Sequence, residues 1–247
     1  MILSYIYTSK TGLKRSANED FANVFEMEDG LLCIVCDGLG GNNAGDTASK
    51  LAVATIEDYF RSNPHEEHLT RLSNAILKAN EQIYRVGRSD SQYKGMATTV
   101  VVLFIHENKA CWGHVGDSRI YISKQDSIVQ LTKDHSLVQK LVDNGYISER
   151  EAEIHPQRNI IVRALGDKPE VVVDFDYFFL NEDEPWKFLL CTDGVSGVLE
   201  RDELYSFLRN ENLNEISHLL SKEIEERGAP DNYTFIVVAN KNITPNN

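Results

Sequence analysis

The stretch TTVVVLFIHENKACWGHVGDSR, Thr98–Arg119, decides the architecture. It holds two apolar runs, Thr98–His106 and Ala110–Val115, joined only by the polar turn Glu107-Asn108-Lys109. Two β-forming runs with so short a polar connection read as an antiparallel hairpin. The second run stops at Gly116-Asp117, which sets a carboxylate at the end of a rigid strand, within reach of water.

Outward from this hairpin the same punctuation recurs. Asn18-Glu19-Asp20 precedes Phe21, Leu31–Cys36 precedes Asp37-Gly38, Phe188–Thr192 precedes Asp193-Gly194, and Asp231-Asn232 precedes Tyr233–Val238. Apolar runs of this length bounded by glycine are read as buried strands. If their ends converge, the carboxylates make a cluster of oxygen ligands. Two like charges about 4 Å apart repel by about 4 kcal/mol at an effective dielectric near 20, so such a cluster needs cations. A metal site is expected.

Further strand-like runs fall at Arg119–Ser123 and Val171–Phe179, and Met1–Tyr7 alternates like a strand. Ala44–Arg61 reads as a helix. Leu69, Leu72, Ile76, Ala79, Ile83 and Val86 form the stripe of a second, and Leu213, Ile216, Leu219, Leu220 and Ile224 mark a third. Strands flanked by a few helices, without strict βαβ alternation, predict an α+β layered sandwich. No repeat, linker or composition shift divides the chain, so residues 1–247 are read as one domain. The polar segment 135–166, with helical pieces at Leu137–Asp143 and Ser148–Glu153 around Gly145, is a candidate flap. An ordinary surface excursion is the competing reading.

Composition sets limits on partners. Of 247 residues 42% are apolar and 26% charged, enough for a proper core, and the net charge of −13 argues against nucleic acid. No apolar run reaches the ~20 residues that span a bilayer, and the N-terminus lacks the apolar segment of a signal peptide, so a soluble cytoplasmic location is expected. Cys33, Cys36, Cys111 and Cys191 all lie in strand-like runs. Cys33 and Cys36 match Cys-x-x-Cys, but residues three apart on a strand point to opposite faces, so buried free thiols are predicted. Asn232-Tyr233-Thr234 and Asn242-Ile243-Thr244 match the glycosylation pattern, which carries no weight without a secretion signal.

The donor types select the metal. No His-x-x-x-His pair occurs, and hard oxygen ligands without imidazole or thiolate favour Mg²⁺ or Mn²⁺. Two such ions clamp a phosphoryl group for in-line attack, so metal-assisted phosphoester hydrolysis is the natural reaction class. No Gly-x-Ser-x-Gly elbow and no Gly-x-x-x-x-Gly-Lys-Ser/Thr loop offers a rival.

At this point the residues resemble a family. Arg15-Ser16-Ala17-Asn18-Glu19-Asp20, Asp37-Gly38-Leu39-Gly40-Gly41 with Ala44-Gly45, Gly95-Met96-Ala97-Thr98-Thr99, Gly116-Asp117-Ser118-Arg119, Leu131-Thr132-Lys133-Asp134-His135-Ser136, Arg163-Ala164-Leu165-Gly166, Cys191-Thr192-Asp193-Gly194 and Asp231-Asn232-Tyr233-Thr234 stand in sequence order. Together they resemble the metal-dependent serine/threonine phosphatases of the protein phosphatase 2C type, from about Thr11 to Ala239. His155-Pro156-Gln157-Arg158-Asn159 resembles the flap of the bacterial branch.

The resemblance implies a central β-sandwich of two antiparallel sheets flanked by helices, in four layers, with a flap insertion. It also implies two, or with a weaker site three, Mn²⁺ or Mg²⁺ ions. Asp37 would bridge two of them, with the Gly38 carbonyl on one. Asp193 and Asp231 would hold the first, and Glu19 would act on the second through water. Asp20 would position metal-bound waters, and Asp117 with Asp193 would make the third site. Arg15 would grip the substrate phosphate, which suits the guanidinium fork. The reaction would be hydrolysis of phosphoserine and phosphothreonine by a metal-bridging water, with phosphoprotein substrates and, in a bacterium, an opposing Ser/Thr kinase. No extended coiled-coil stripe points to an obligate dimer, so a monomer is expected.

One departure stands out. Some relatives carry a histidine directly after the Asp-Gly pair as a proton donor, and here that position is Leu39. The leaving oxygen's proton must then come from a metal-bound water or another residue. His135 has two readings, a general acid or a member of a local hydrogen-bonded turn, and Arg163 and Asn159 read as anchors of the flap's return. Two rival functions remain. A catalytically silent phosphoprotein-binding member would lose metal carboxylates, whereas all five aspartates are present. A small-phosphoester hydrolase would not need so large a flap.

Overall fold

The structure is a computed structural model that describes residues 1–40 and 44–240. Along the chain run β1 (Leu3–Lys10), β2 (Phe21–Met27), β3 (Gly30–Cys36), β4 (Gly38–Leu39), α1 (Ala44–Ser62) and α2 (His68–Ser89). Then come β5 (Ala97–Thr98), β6 (Val100–His106), β7 (Lys109–Val115), β8 (Arg119–Ser123), β9 (Ile128–Gln130), α3 (Leu137–Asp143) and α4 (Glu149–Glu153). The last are β10 (Asp174–Phe179), β11 (Lys187–Cys191), α5 (Asp193–Ser196), α6 (Arg201–Leu208), α7 (Leu213–Glu226) and β12 (Tyr233–Asn240).

The hairpin expected at residues 98–119 forms as β6–β7, in register from Val100 opposite Val115 to His106 opposite Lys109. It sits inside a five-stranded antiparallel sheet ordered β10-β7-β6-β3-β2, and a second antiparallel sheet runs β1-β12-β11-β8-β9. Alternate residues explain the layers. Cys33, Val35, Val101, Leu103 and Ile105 face the other sheet and meet Ile120, Phe188, Leu190, Ile236 and Val238. Leu32, Ile34, Cys36, Val102 and Phe104 face outward and are covered by α1 and α2 through Ala52, Ile56, Leu72 and Ile76. On the far side, Leu189, Phe235 and Val237 are covered by Leu204, Leu208, Ile216 and Leu220 of α6 and α7. Both faces of the central strands are buried, which is why β3, β6 and β12 read as continuous apolar runs. The α+β sandwich of two antiparallel sheets between helical layers is borne out.

Two strand boundaries differ from expectation. The run 98–106 breaks at Thr99, because Thr98 exchanges backbone hydrogen bonds with Leu165 while the Thr99 amide turns to the Asp37 carbonyl at 2.9 Å. The run 171–179 is strand only from Asp174, and Val171 and Val173 instead pack against the core under α2. Cys33 and Cys36 are free and buried, and they join cores on opposite faces of their sheet, as their spacing predicted. Asn232 and Thr234 are buried, so the first glycosylation pattern offers no exposed acceptor; Asn242-Ile243-Thr244 lies outside the described residues.

Candidate active site

Hydrogen bonds between distant parts of the chain gather the segments that carry the predicted carboxylates at one end of the sandwich. Asp37 follows β3, its amide donating to Thr99 Oγ1 at 3.0 Å, and Thr98 Oγ1 donates to the Asp37 carbonyl at 2.8 Å. Thr99 Oγ1 also shares a hydrogen with Ser118 Oγ at 2.7 Å, which ties Asp37 to the turn that carries Asp117. Asp193 opens α5 directly after β11. Next to it Thr192 Oγ1 donates to Asp20 Oδ2 at 2.9 Å, inside the protein. Asn232 clamps the N-terminal loop: its Nδ2 donates to the Thr11 and Ala17 carbonyls at 2.8 Å, and its Oδ1 accepts from the Glu19 amide at 2.9 Å.

Glycines let these segments touch. A Cβ on Gly194 would stand 1.8 Å from the Asn232 carbonyl oxygen, so α5 and the start of β12 meet backbone to backbone. A Cβ on Gly38 would stand 2.2 Å from the Gly45 carbonyl, which brings the Asp37-Gly38 turn against the first turn of α1. Gly41 of the same motif lies outside the described residues.

The electrostatics follow from burial. The Asp20 and Asp117 carboxyls are each pushed up to about 7, above all by burial, then by neighbouring aspartates. Asp37 is raised well above the carboxylate range, first by burial and then by Asp20, Asp193 and Asp117. Asp193 is raised by burial and by Asp231, and a hydrogen bond with Asp37 partly offsets this. Burial also raises Glu19, against a bond from the Gly45 amide, so Glu19 doubles as a partner for the first turn of α1. Asp117 Oδ1 is buried without a hydrogen-bond partner. A buried, unpartnered carboxylate oxygen amid mutually repelling carboxyls, with oxygen donors only, is chemically suited to hard divalent cations. The residues present therefore fit Mg²⁺ or Mn²⁺.

All the predicted residues come to this end of the molecule. Asp231 accepts from Arg15 Nη2 at 2.7 Å through Oδ2 and from the Asn232 amide at 2.8 Å through Oδ1. Arg15 is exposed and faces Asp231, Asp193 and Asp37. His135 resolves in favour of the local turn. Its Nδ1 accepts from the Gly116 amide at 3.0 Å, its Nε2 lies 3.2 Å from Asp174 Oδ2, and burial presses it down to about 4, so it stays neutral. Arg163 anchors the return of the segment through Asp174 Oδ1 at 2.6 Å and the Val172 carbonyl at 3.1 Å, while Asn159 is exposed. Sequence reasoning gave no role to the supporting side chains Thr98, Thr99, Ser118, Thr192 and Asn232, although all five stand in the motifs that carry the resemblance.

A cluster of buried and half-buried carboxylates at one end of two packed antiparallel sheets, offering oxygen donors only, suits a class of protein, the phosphoester hydrolases that work with hard divalent cations. Residues 13–227 match the family model described as Protein phosphatase 2C, and the chain belongs to that family. A serine/threonine phosphatase of Listeria welshimeri is 35% identical over 239 residues, covering 94% of each chain. The crystal structure of the serine/threonine phosphatase Stp1 from Staphylococcus aureus superposes with a TM-score of 0.91 at 32% identity, covering 98% of this chain and 96% of that one. The catalytic domain of the serine/threonine protein phosphatase PstP, solved with two manganese ions, superposes at 0.85 with 30% identity, covering 97% and 99%.

Proposed function

We propose that this protein phosphatase hydrolyses phosphoserine and phosphothreonine in proteins with Mn²⁺ or Mg²⁺, two ions of which Asp37 would hold in common. The observation that carries the reading is the convergence of Asp20, Asp37, Asp117 and Asp193, whose charges burial and mutual repulsion disfavour without cations. When bound, the ions offset that charge, polarise the phosphoryl group and lower the pKa of the attacking water. Asp193 and Asp231 would hold the first ion, the Gly38 carbonyl and Glu19 would serve the pair, and Asp117 with Asp193 would form a third, weaker site. Asp20, oriented by Thr192, would accept hydrogen bonds from metal-bound water and position it. Arg15 takes the substrate phosphate, exchanging one carboxylate partner for another anion of similar fork geometry.

Residues 1–247 act as one catalytic domain, and segment 135–166 is the flap on which the phosphoprotein rests. This surface favours a protein substrate over a small phosphoester. The bacterial relatives are serine/threonine phosphatases, and the role proposed for this chain is to oppose a Ser/Thr kinase in the cytoplasm. No helix among the described residues is long and apolar enough to cross a membrane. The enzyme works as a monomer. Hydrolysis of an aryl phosphate and of phosphoserine, phosphothreonine and phosphotyrosine peptides tests the reading. Turnover should need Mn²⁺ or Mg²⁺, stop with chelator, favour the first two peptides and collapse in Asp37→Asn and Asp193→Asn. Metal-independent turnover, or an Asp37→Asn enzyme of full activity, overturns it.

A further inference from the structure

The described residues contain two places where histidine and aspartate atoms gather within 4.8 Å of one another, and neither includes the catalytic aspartates. One is His114, His135 and Asp174 at the base of the flap segment. There His135 Nδ1 accepts from the Gly116 amide, so the ring proton sits on Nε2 and no lone pair is left for a metal. The Arg163 guanidinium already occupies Asp174. His114 Nε2 donates to the Lys133 carbonyl at 2.9 Å, so His114 Nδ1 is the one imidazole lone pair left open there, too few for a metal site.

The other, Asp29, His68 and His106, is built differently. Asp29 lies in the β2–β3 turn, His68 opens α2 and His106 ends β6. His106 Nδ1 bonds the Asp29 backbone carbonyl, which can only accept, so the proton is on Nδ1 and the Nε2 lone pair is free. Fixing the tautomer through the second ring nitrogen is the usual way a ligating imidazole is oriented. Asp29 Oδ2 takes a 2.7 Å bond from the buried Arg71, whose other end bonds the Phe60 carbonyl. Asp29 Oδ1 is buried with no partner at all.

His68 Nε2 stands 3.7 Å from Asp29 Oδ2, too far for a hydrogen bond, and the two imidazole rings are 4.4 Å apart. Burial, and then His106, hold His68 below its ordinary value, so it is neutral and able to ligate. Three donor groups therefore converge, with the His106 ring and the Asp29 carboxylate already oriented from behind. Glu107 Oε2 lies 3.8 Å from the free His106 Nε2 and supplies a fourth donor, an oxygen, on the solvent side.

We propose that Asp29, His68 and His106, with Glu107, form a binding site for a borderline transition-metal cation such as Zn²⁺. Two imidazoles and two carboxylates suit four-coordinate Zn²⁺, whereas the oxygen-only catalytic ring suits Mg²⁺ or Mn²⁺. The site is seven residues along β6 from Thr99, so it lies about 20 Å from the catalytic end. Its occupant joins the β2–β3 turn to the start of α2 and does not enter the reaction.

The test is Zn²⁺ titration of the whole chain with the catalytic centre held in excess Mg²⁺, followed by the ring-nitrogen NMR signals of the seven histidines. The His68 and His106 signals should shift with Zn²⁺ while those of His114 and His135 stay in place, and the melting temperature should rise by several degrees. His68→Gln and His106→Gln should each bind one Zn²⁺ fewer, or at least tenfold more weakly, with Mn²⁺-dependent phosphatase activity unchanged as the control for folding. Zn²⁺ uptake that leaves the His68 and His106 signals unmoved, or that is equal in wild type and the double variant, overturns the proposal.

Discussion

Gly116 and His135 exchange two hydrogen bonds: the Gly116 amide donates to His135 Nδ1 at 3.0 Å, and the His135 amide donates to the Gly116 carbonyl at 2.9 Å. Gly116 precedes Asp117, and His135 begins segment 135–166, so one side chain ties the segment's root to the carboxylate cluster. Gly116 has φ +113°, and a Cβ there would stand 2.6 Å from Thr99, so the turn cannot slide away from this clamp. His135→Ala leaves a buried amide unpaired and is expected to cost about 2 kcal/mol in urea denaturation. His135→Ala should keep aryl-phosphate activity within tenfold of wild type.

The pH dependence of that cost has a definite sign. The folded-state value of His135 is about 4, below the ordinary 6.5, so its contribution is fully present above pH 6.5 and is lost as pH falls through 4. Burial opposes the Asp174 charge, but its bonds to His135 and Arg163 hold it below the usual carboxylate range, so its contribution also fades toward acid. The stability gap between wild type and His135→Ala should therefore shrink between pH 6.5 and 4. Denaturation curves across that range measure it, and a gap that widens toward acid contradicts the neutral assignment.

Removing charge from the ring should stabilise the metal-free enzyme. Asp37 meets Asp20, Asp193 and Asp117 in a buried setting that disfavours its charge. Metal-free Asp37→Asn is expected to melt several degrees above metal-free wild type at pH 8. Addition of Mn²⁺ should raise the wild-type melting temperature strongly and that of the variant little. Scanning calorimetry with and without the ion separates the two effects.

Asn232→Ala removes three bonds that fasten Thr11, Ala17 and Glu19 to the start of β12. A loss of about 3 kcal/mol is expected, because two carbonyls and an amide lose a shared buried partner. The same variant should lose at least tenfold in turnover, since Arg15 and Glu19 ride on the freed segment. Arg15→Ala, by contrast, breaks a solvent-exposed pair worth about 0.5 kcal/mol, and should raise KM for aryl phosphate roughly tenfold with little change in stability.

Two glycines give opposite expectations. Gly194→Ala drives a methyl into the Asn232 carbonyl and should yield little folded protein. Gly145 has φ +72° and open space within 4 Å of the point where a methyl would stand, so Gly145→Ala should cost only the left-handed backbone penalty, about 1 kcal/mol. Soluble yield and melting temperature of the two variants decide this.

How much of this was legible follows from where each signal lives. The strands β3, β6, β7, β11 and β12 were readable because burial on both faces makes them apolar throughout. β2 was not read as a strand. It is an edge strand with Asn23 and Glu26 in its middle, so its pattern is broken by solvent. The short β9 and α6 escaped notice because three and eight residues carry too little periodicity. The aspartates were legible as donors, since each sits within two residues of a glycine or asparagine at the edge of an apolar run or helix.

The sequence alone determined the donor chemistry, the antiparallel hairpin, the helical stripes and the family, because these depend on residue type and local spacing. The tertiary structure decided which groups meet. Thr192 and Asp20 lie 172 positions apart and share a hydrogen bond, and Glu19 meets the start of α1. His135 became a neutral clamp rather than an acid, and Asp29, His68 and His106 came together at the other end of the sheet. Such pairings leave no periodic trace in a chain. They arise only when strand register and layer packing have set the ends of separate elements side by side.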